Sequence, residues 1–150
     1  MKLLKKIGII LGIVFVGIQF IPTNQNLSTE VSASDFMVIY EVPKTIETKL
    51  KVSCYDCHSN NTYYPWYNKI QPIAWFLEGH IDEAKEELDF SEFGNYSTRK
   101  KKSKLKSIIS QIKDDDMPLT SYTLMHAGAK ISEAERKEIM EWMTQLRDGL

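Results

Sequence analysis

The feature that most constrains this chain is the motif Cys54-Tyr55-Asp56-Cys57-His58, which holds the only two cysteines among its 150 residues. Residues three apart on a helical turn project to nearly the same side, so both thiols can reach one planar ring. The histidine that follows can turn its imidazole beneath that ring and bind a central metal through a neutral nitrogen. This spacing predicts one covalently attached haem c, joined by thioethers to Cys54 and Cys57, with His58 as the proximal iron ligand.

Two other kinds of site share the C-x-x-C spacing and remain alternatives. A redox dithiol or a Cys54–Cys57 disulfide is one, although the sequence lacks the βαβ pattern expected of thioredoxin-like proteins. A zinc site is the other, and it would need a further ligand such as His80 beside Cys54, Cys57 and His58. Two cysteines are too few for a four-cysteine zinc site or an iron–sulfur cluster.

Helical periodicity dominates residues 35–150, which are predicted to form one domain. Apolar residues at three- and four-residue spacing predict helices over residues 43–57, 73–88 and 98–113, and from Ser132 onward. Ser132 and Glu135 form the pattern of a capping box at the start of the last helix. Loops are predicted over residues 60–71 and 114–128, and residues 35–42 are the best strand candidate. The predicted fold class is therefore mostly α.

The N-terminal segment has the pattern of an export signal or an anchor. Lys2, Lys5 and Lys6 precede an apolar run over residues 7–21 in which Gln19 is the one polar residue. No small-residue cleavage pattern follows directly, so residues 1–21 are predicted to be a retained signal anchor, single-pass in the bacterial cytoplasmic (inner) membrane. Residues 22–34 are predicted to be a polar tether, which places the domain on the periplasmic, outer side.

The distribution of charge bears on the partners. Residues 1–21 carry three lysines and no acid, which leaves 16 basic and 20 acidic side chains in the rest of the chain. A net-acidic body argues against nucleic-acid binding, because that affinity comes from neutralising phosphates. Residues 99–106 hold six positive charges. They predict either a solvated helix face or a docking patch for an acidic redox partner or anionic lipid headgroups.

Several further motifs accompany the cysteine pair. They are Ser59-Asn60-Asn61-Thr62 directly after it, Tyr64-Pro65-Trp66-Tyr67, Gln71-Pro72-Ile73-Ala74-Trp75, Leu88-Asp89-Phe90-Ser91-Glu92, and Met117-Pro118-Leu119-Thr120-Ser121-Tyr122 with His126. As a set they closely resemble a bacterial family of membrane-anchored haem-binding domains related to c-type cytochromes, from about residue 35 to the C-terminus. One departure is Asp89, where that family commonly has Asn. The resemblance implies a small cytochrome c-like helical domain wrapped around one covalent haem, behind an N-terminal membrane helix, and it specifies no reaction.

The sixth iron ligand is predicted with the help of this resemblance. Met117 follows Cys57 by sixty residues, and in the small cytochromes c that the chain is similar to, the distal methionine lies on a loop at about that distance. His126, on the same predicted loop, is the alternative distal ligand. Tyr64, Trp66 and Trp75 are candidates for packing in the haem pocket, where aromatic rings exclude water and their polar tips find partners.

Two functions from different classes are consistent with these residues. The preferred one is a monohaem electron carrier, which is not an enzyme, because a methionine thioether saturates the iron and suits electron transfer. The alternative is a haem-based sensor or a peroxidase-like enzyme with an open sixth iron position. The sequence specifies neither the redox partners nor the oligomeric state.

Overall fold

Helices form all of the regular structure in the computed structural model, which describes residues 2–28 and 30–150. The α-helices are α1 (Lys2–Ile18), α2 (Phe36–Ile39), α3 (Lys44–Leu50), α4 (Asp56–His58), α5 (Ile73–Glu87), α6 (Thr98–Lys113), α7 (Thr120–Met125) and α8 (Glu133–Gly149). A π-helical turn, Lys51–Tyr55, joins α3 to α4, and 3₁₀ turns lie at Trp66–Lys69, Phe90–Asn95 and Ala127–Ala129. No strand occurs in the described ranges, so the prediction of a mostly α fold is confirmed.

Three buried phenylalanines form the aromatic part of the core. Phe36 meets Phe90 and Phe93 edge-to-face, with ring centroids 5.3 and 4.9 Å apart. Such pairs set the positive edge of one ring against the negative face of another. Asp35 caps α2 by accepting a hydrogen bond from the Met37 N–H at 2.8 Å. Residues 36–39 are therefore a helical turn anchored by Phe36, and the predicted strand over residues 35–42 is wrong.

Apolar stripes on α3, α6 and α8 form the rest of the core. The buried members of these stripes are Ile46, Leu50, Leu105, Ile108, Ile112, Ile139 and Met143. Burial of each such side chain stabilises the fold by ~1.5–3 kcal/mol. The predicted helices over residues 98–113 and from Ser132 onward are confirmed. Because the cysteine motif directly follows α3, this packing places the motif across a cavity from α6.

The C-terminal end of α6 determines where the following segment lies. Asp115 has a φ of 64°, the left-handed conformation that commonly ends a helix. Arg136 of α8 pairs with Asp115 and donates a hydrogen bond to the Ile112 carbonyl oxygen at 2.6 Å. The backbone N–H of Met117 donates to the Gln111 carbonyl oxygen at 3.2 Å. The chain therefore turns back along α6 and brings Met117 beside its last turn.

The N-terminal helix corrects the prediction of a membrane anchor. α1 has 17 residues, so its length is about 25 Å, against ~30 Å for the hydrocarbon core of a bilayer. Among the residues that the structure describes, no helix combines the length and apolar character needed to cross a membrane. The prediction of a single-pass anchor in the bacterial inner membrane, with the domain on its periplasmic side, is therefore wrong.

The segment after α1, predicted to be a tether, contacts the helical domain through polar side chains. The Asn26 side-chain amide donates to the Ser59 carbonyl oxygen at 2.7 Å, and its oxygen accepts a hydrogen bond from Lys85 at 2.8 Å. Nearer to α1, Gln19 and Gln71 exchange two hydrogen bonds at 3.0 and 3.1 Å. These contacts hold residues 19–26 against the loop that follows the cysteine motif.

The capping box of α8 gives a prediction about stability. Hydrogen bonds from the Ser132 hydroxyl and backbone N–H, together with Lys49, lower the pKa of Glu135 to about 2. We expect Glu135→Gln to lower the free energy of unfolding at pH 7 by ~0.5–1 kcal/mol. The contribution of the carboxylate is fully present above its unfolded pKa, near 4.5, and is lost as the pH falls through about 2.

Urea unfolding at several pH values checks this expectation. The stability of Glu135→Gln should fall less steeply between pH 4.5 and about 2 than that of the wild type. Glu141→Gln, an exposed change on the same helix, is the matched control and should keep the wild-type slope. If Glu135→Gln and the wild type have the same slope, the capping carboxylate does not contribute as described.

Candidate functional site

One continuous helical run carries the three residues of the cysteine motif. Cys54 lies in the π-helical turn after α3, and Cys57 and His58 lie in α4. Single π turns widen a helix locally and are frequent at functional sites. Both thiols are free and half-buried. The local helical arrangement that the motif was predicted to adopt is therefore present.

A cavity of about 310 Å³ opens beside this run, a volume at the lower end of the range for small-molecule pockets. Its floor is apolar, formed by Leu88, Phe90, Ile108 and Ile112. Cys54, His58 and Met117 also line it. The fold thus gathers three of the predicted site residues around one cavity, although Met117 is remote from the motif in the sequence.

Hydrogen bonds fix the imidazole of His58. Its Nδ1 lies 2.9 Å from the Ala84 carbonyl oxygen and 3.0 Å from the Leu88 carbonyl oxygen. Since a carbonyl oxygen can only accept, Nδ1 must carry the proton and donate it. In the neutral ring Nε2 is then unprotonated and keeps its lone pair. This is the tautomer in which a histidine binds a metal through Nε2, and the two carbonyl groups hold the ring orientation.

The environment of the cysteines weighs against the two alternative sites. Burial raises the pKa of Cys54 to about 12 and that of Cys57 to about 11. Both thiols are therefore neutral near pH 7, whereas a reactive dithiol functions as a thiolate. No group of three or more His, Cys, Asp or Glu side chains in the described ranges is arranged to hold a metal ion, so the alternative zinc set is not assembled.

Cys57 and His126 lie on the other side of the motif. Together with Asp56 and Tyr122 they line a separate small cavity of about 10 Å³. The Tyr122 hydroxyl donates to Asp56 Oδ2 at 2.6 Å, and the His126 ring stacks on Tyr122 at 4.2 Å. The structure therefore brings His126 to the Cys57 side and Met117 to the side of Cys54 and His58.

The three predicted pocket aromatics lie elsewhere. The Tyr64 hydroxyl donates to Glu78 Oε2 at 2.7 Å and accepts a hydrogen bond from the backbone of Asn26 at 2.6 Å. Trp66 is 72% exposed and Trp75 is 37% exposed. None of these three residues lines the 310 Å³ cavity. The aromatic ring that does line it is Phe90.

Phe90 links the cavity to the cysteine motif. Its ring stacks on Tyr55, with centroids 4.9 Å apart and planes 7° from parallel, and lies edge-on to His58 at 6.4 Å. Tyr55 in turn donates a hydrogen bond to Asp35 Oδ1 at 3.0 Å. Phe90 therefore contacts the rings of both Tyr55 and His58 and links them to the cavity.

Sequence reasoning missed the polar edge of the cavity on α6. Lys104, Ser107 and Gln111 line the cavity there, whereas residues 99–106 were interpreted as a solvated face or a docking patch. The available signal was helical spacing, because Lys104 and Gln111 lie four and three residues from Ile108 and share its side of the helix. The apolar stripe of α6 and this polar edge are adjacent.

The residues present fit a haem. A neutral imidazole nitrogen and a thioether sulfur are both ligands of haem iron, and His58 and Met117 supply them at one mostly apolar cavity. The free thiol of Cys54 lines the same cavity. Cys57 is three residues further along the helical run and faces the smaller cavity.

Comparison with known proteins supports haem binding by this chain. A family model described as a haem-binding domain matches residues 13–145, which include the cysteine motif, the cavity residues and Met117. No curated protein and no solved structure matches the chain. Since the match extends over most of the sequence, the chain belongs to the haem-binding domain family.

Proposed function

We propose that this protein is a monohaem electron carrier of the c type, with Cys54 and Cys57 as thioether attachment sites and His58 and Met117 as axial ligands. A bound haem supplies reversible one-electron chemistry between ferric and ferrous iron. The residues of the chain hold the group, orient it and exclude other ligands. The observation that carries the proposal is the fixed His58 tautomer beside the same cavity as Met117.

The surroundings of His58 favour ligation of a metal by its imidazole. Ala84 and Leu88, whose carbonyl oxygens accept hydrogen bonds from the His58 Nδ1–H, lie at the C-terminal end of α5. That end of a helix carries partial negative charge, which favours the N–H donor pointing at it. Hydrogen bonds of this kind to a ligating imidazole hold its ring in place and strengthen its donation to a metal.

Met117 favours electron transfer over the alternative function. Its backbone is tied to the last turn of α6, and its side chain is half-buried at the cavity. A thioether at the sixth position would exclude dioxygen and raise the reduction potential. A sensor or a peroxidase-like enzyme needs that position open or displaceable.

The cysteines support covalent attachment. The chain has two cysteines, and both occur in the motif, as expected where each forms one thioether. Both lie on one helical run and both are free, although Cys54 lines the larger cavity and Cys57 the smaller one. With a neutral thiol at each position, the pair lacks the thiolate character of a reactive dithiol at pH 7.

The test of function uses the full chain matured with haem. We expect a reversible one-electron couple by voltammetry, a low-spin spectrum in both oxidation states, and no rapid binding of carbon monoxide by the ferrous protein. These results follow if His58 and Met117 saturate the iron. A high-spin ferric spectrum with rapid carbon monoxide binding would contradict electron transfer and support the sensor or peroxidase-like alternative.

A further inference from the structure

Lys104 stands at the edge of the 310 Å³ cavity with only a weak ionic partner. Its amino group lies 3.6 Å from Glu87 Oε2, and Glu87 is 85% exposed while Lys104 is 23% exposed. An ion pair with so exposed a partner contributes little, because water screens it. Lys104 is therefore kept at the cavity by the packing of its long side chain, and its charge remains available to a stronger partner.

Ser107 and Gln111 extend this edge along α6. Ser107 lies three residues after Lys104, and Gln111 lies four residues after Ser107. The three side chains therefore follow one side of the helix. They supply a cation, a hydroxyl and an amide beside the apolar floor made by Ile108 and Ile112. A ligand that fits this cavity should be apolar over most of its surface and anionic at one edge.

Haem has that distribution, since its ring is apolar and its two propionates are carboxylates on one edge. We propose that Lys104, assisted by Ser107 and Gln111, forms the subsite that binds a propionate carboxylate of the haem. This inference rests on the haem-binding function proposed above. Glu87 also lines the cavity, and its carboxylate would give up the contact with Lys104 and turn into solvent, which its exposure permits.

Lys104 differs from the other cations of residues 99–106. Lys100, one turn earlier, places its amino group 3.8 Å above the ring of Tyr96. In the described part of the chain, no other lysine or arginine lines the cavity. A change at Lys104 should therefore affect the ligand, whereas the same change at exposed Lys106 should not.

A binding cycle tests the subsite. The full chain, with its cysteines kept reduced, is titrated with ferric haemin and with haemin dimethyl ester, whose propionates are neutral, and binding is followed by the Soret absorbance. We expect Lys104→Gln to weaken haemin binding about tenfold, the range of one charge-assisted hydrogen bond. The same variant should change binding of the ester by less than about twofold. Lys106→Gln should leave both affinities unchanged.

Each outcome decides the proposal. Equal weakening for haemin and the ester, or no weakening for haemin, would overturn the subsite while leaving haem binding intact. Lys104→Arg, which keeps the charge, should restore haemin binding if the carboxylate contact is real, and far-UV circular dichroism verifies folding of every variant. If the wild-type chain binds neither ligand, the proposed haem function fails and the subsite fails with it.

Discussion

Replacing His58 with alanine is expected to reduce haem incorporation by at least about tenfold, the lower range seen when the support of a metal ligand is lost. His58 lines the cavity, and its Nδ1 donates to the carbonyl oxygens of Ala84 and Leu88, which in the neutral ring leaves Nε2 able to bind iron. Without it, the iron loses its proximal ligand. The ratio of Soret absorbance to protein concentration, after expression with a haem maturation system, measures the loss.

His80→Ala is the matched control for this experiment. His80 packs on Phe76, with ring centroids 4.2 Å apart, and lines none of the cavities described above. The His80→Ala variant should therefore incorporate as much haem as the wild type does. In His58→Gly, added imidazole should restore part of the low-spin spectrum by taking the vacated position. Wild-type haem content in His58→Ala would show that another residue is the proximal ligand.

Met117→Ala should convert the iron from low-spin to high-spin and lower its reduction potential. Met117 shares the cavity with His58 and Cys54. Its sulfur, unlike that of Cys54, would not be used to attach the haem and could bind the iron. Its loss would open the sixth position, so the ferrous variant should bind carbon monoxide rapidly. The long-wavelength charge-transfer band of a methionine–ferric haem bond should be present in the wild type and absent in the variant.

Two control variants separate the candidates for the sixth ligand. Met125→Ala changes a methionine that is 62% exposed and should leave the spectrum unchanged. His126→Ala should also leave it unchanged, because His126 stacks on Tyr122 at the smaller cavity. If His126→Ala abolishes the low-spin spectrum while Met117→Ala preserves it, the assignment of Met117 is wrong and the alternative ligand is correct.

Local sequence signals predicted much of the fold. The helices of residues 98–113 and from Ser132 onward follow from apolar spacing and capping, since these patterns involve residues within one or two turns. The motif with Cys54, Cys57 and His58 is equally local. The short helix α7 within the predicted loop of residues 114–128 was missed, because six residues carry too little periodicity to be recognised.

Which face of α5 is buried could not be predicted. On α5 the side chain of Phe76 is 68% exposed, whereas Ala74 and Ile81 are buried. Apolar residues occur on several sides of this helix, so the choice depends on its packing against α4. The exposure of Trp66 could not be predicted from the sequence either, because its position depends on tertiary contacts of the loop.

Assembly of the cavity depends on long-range contacts. The position of Met117 results from the left-handed Asp115 and from Arg136 of α8, and no short sequence pattern reveals that contact. The N-terminal prediction failed for a different reason. The apolar composition of residues 7–21 resembles that of an anchor, whereas the helix that forms has 17 residues and begins among the lysines.

The mass of the intact protein, matured with haem and then denatured, tests the central claim most directly. We predict a mass increase of one haem that survives acid extraction, with peptide mapping that places thioether bonds at Cys54 and Cys57. A colourless protein, or one whose haem is fully extracted while the two sulfurs are free or joined to each other, would contradict the account.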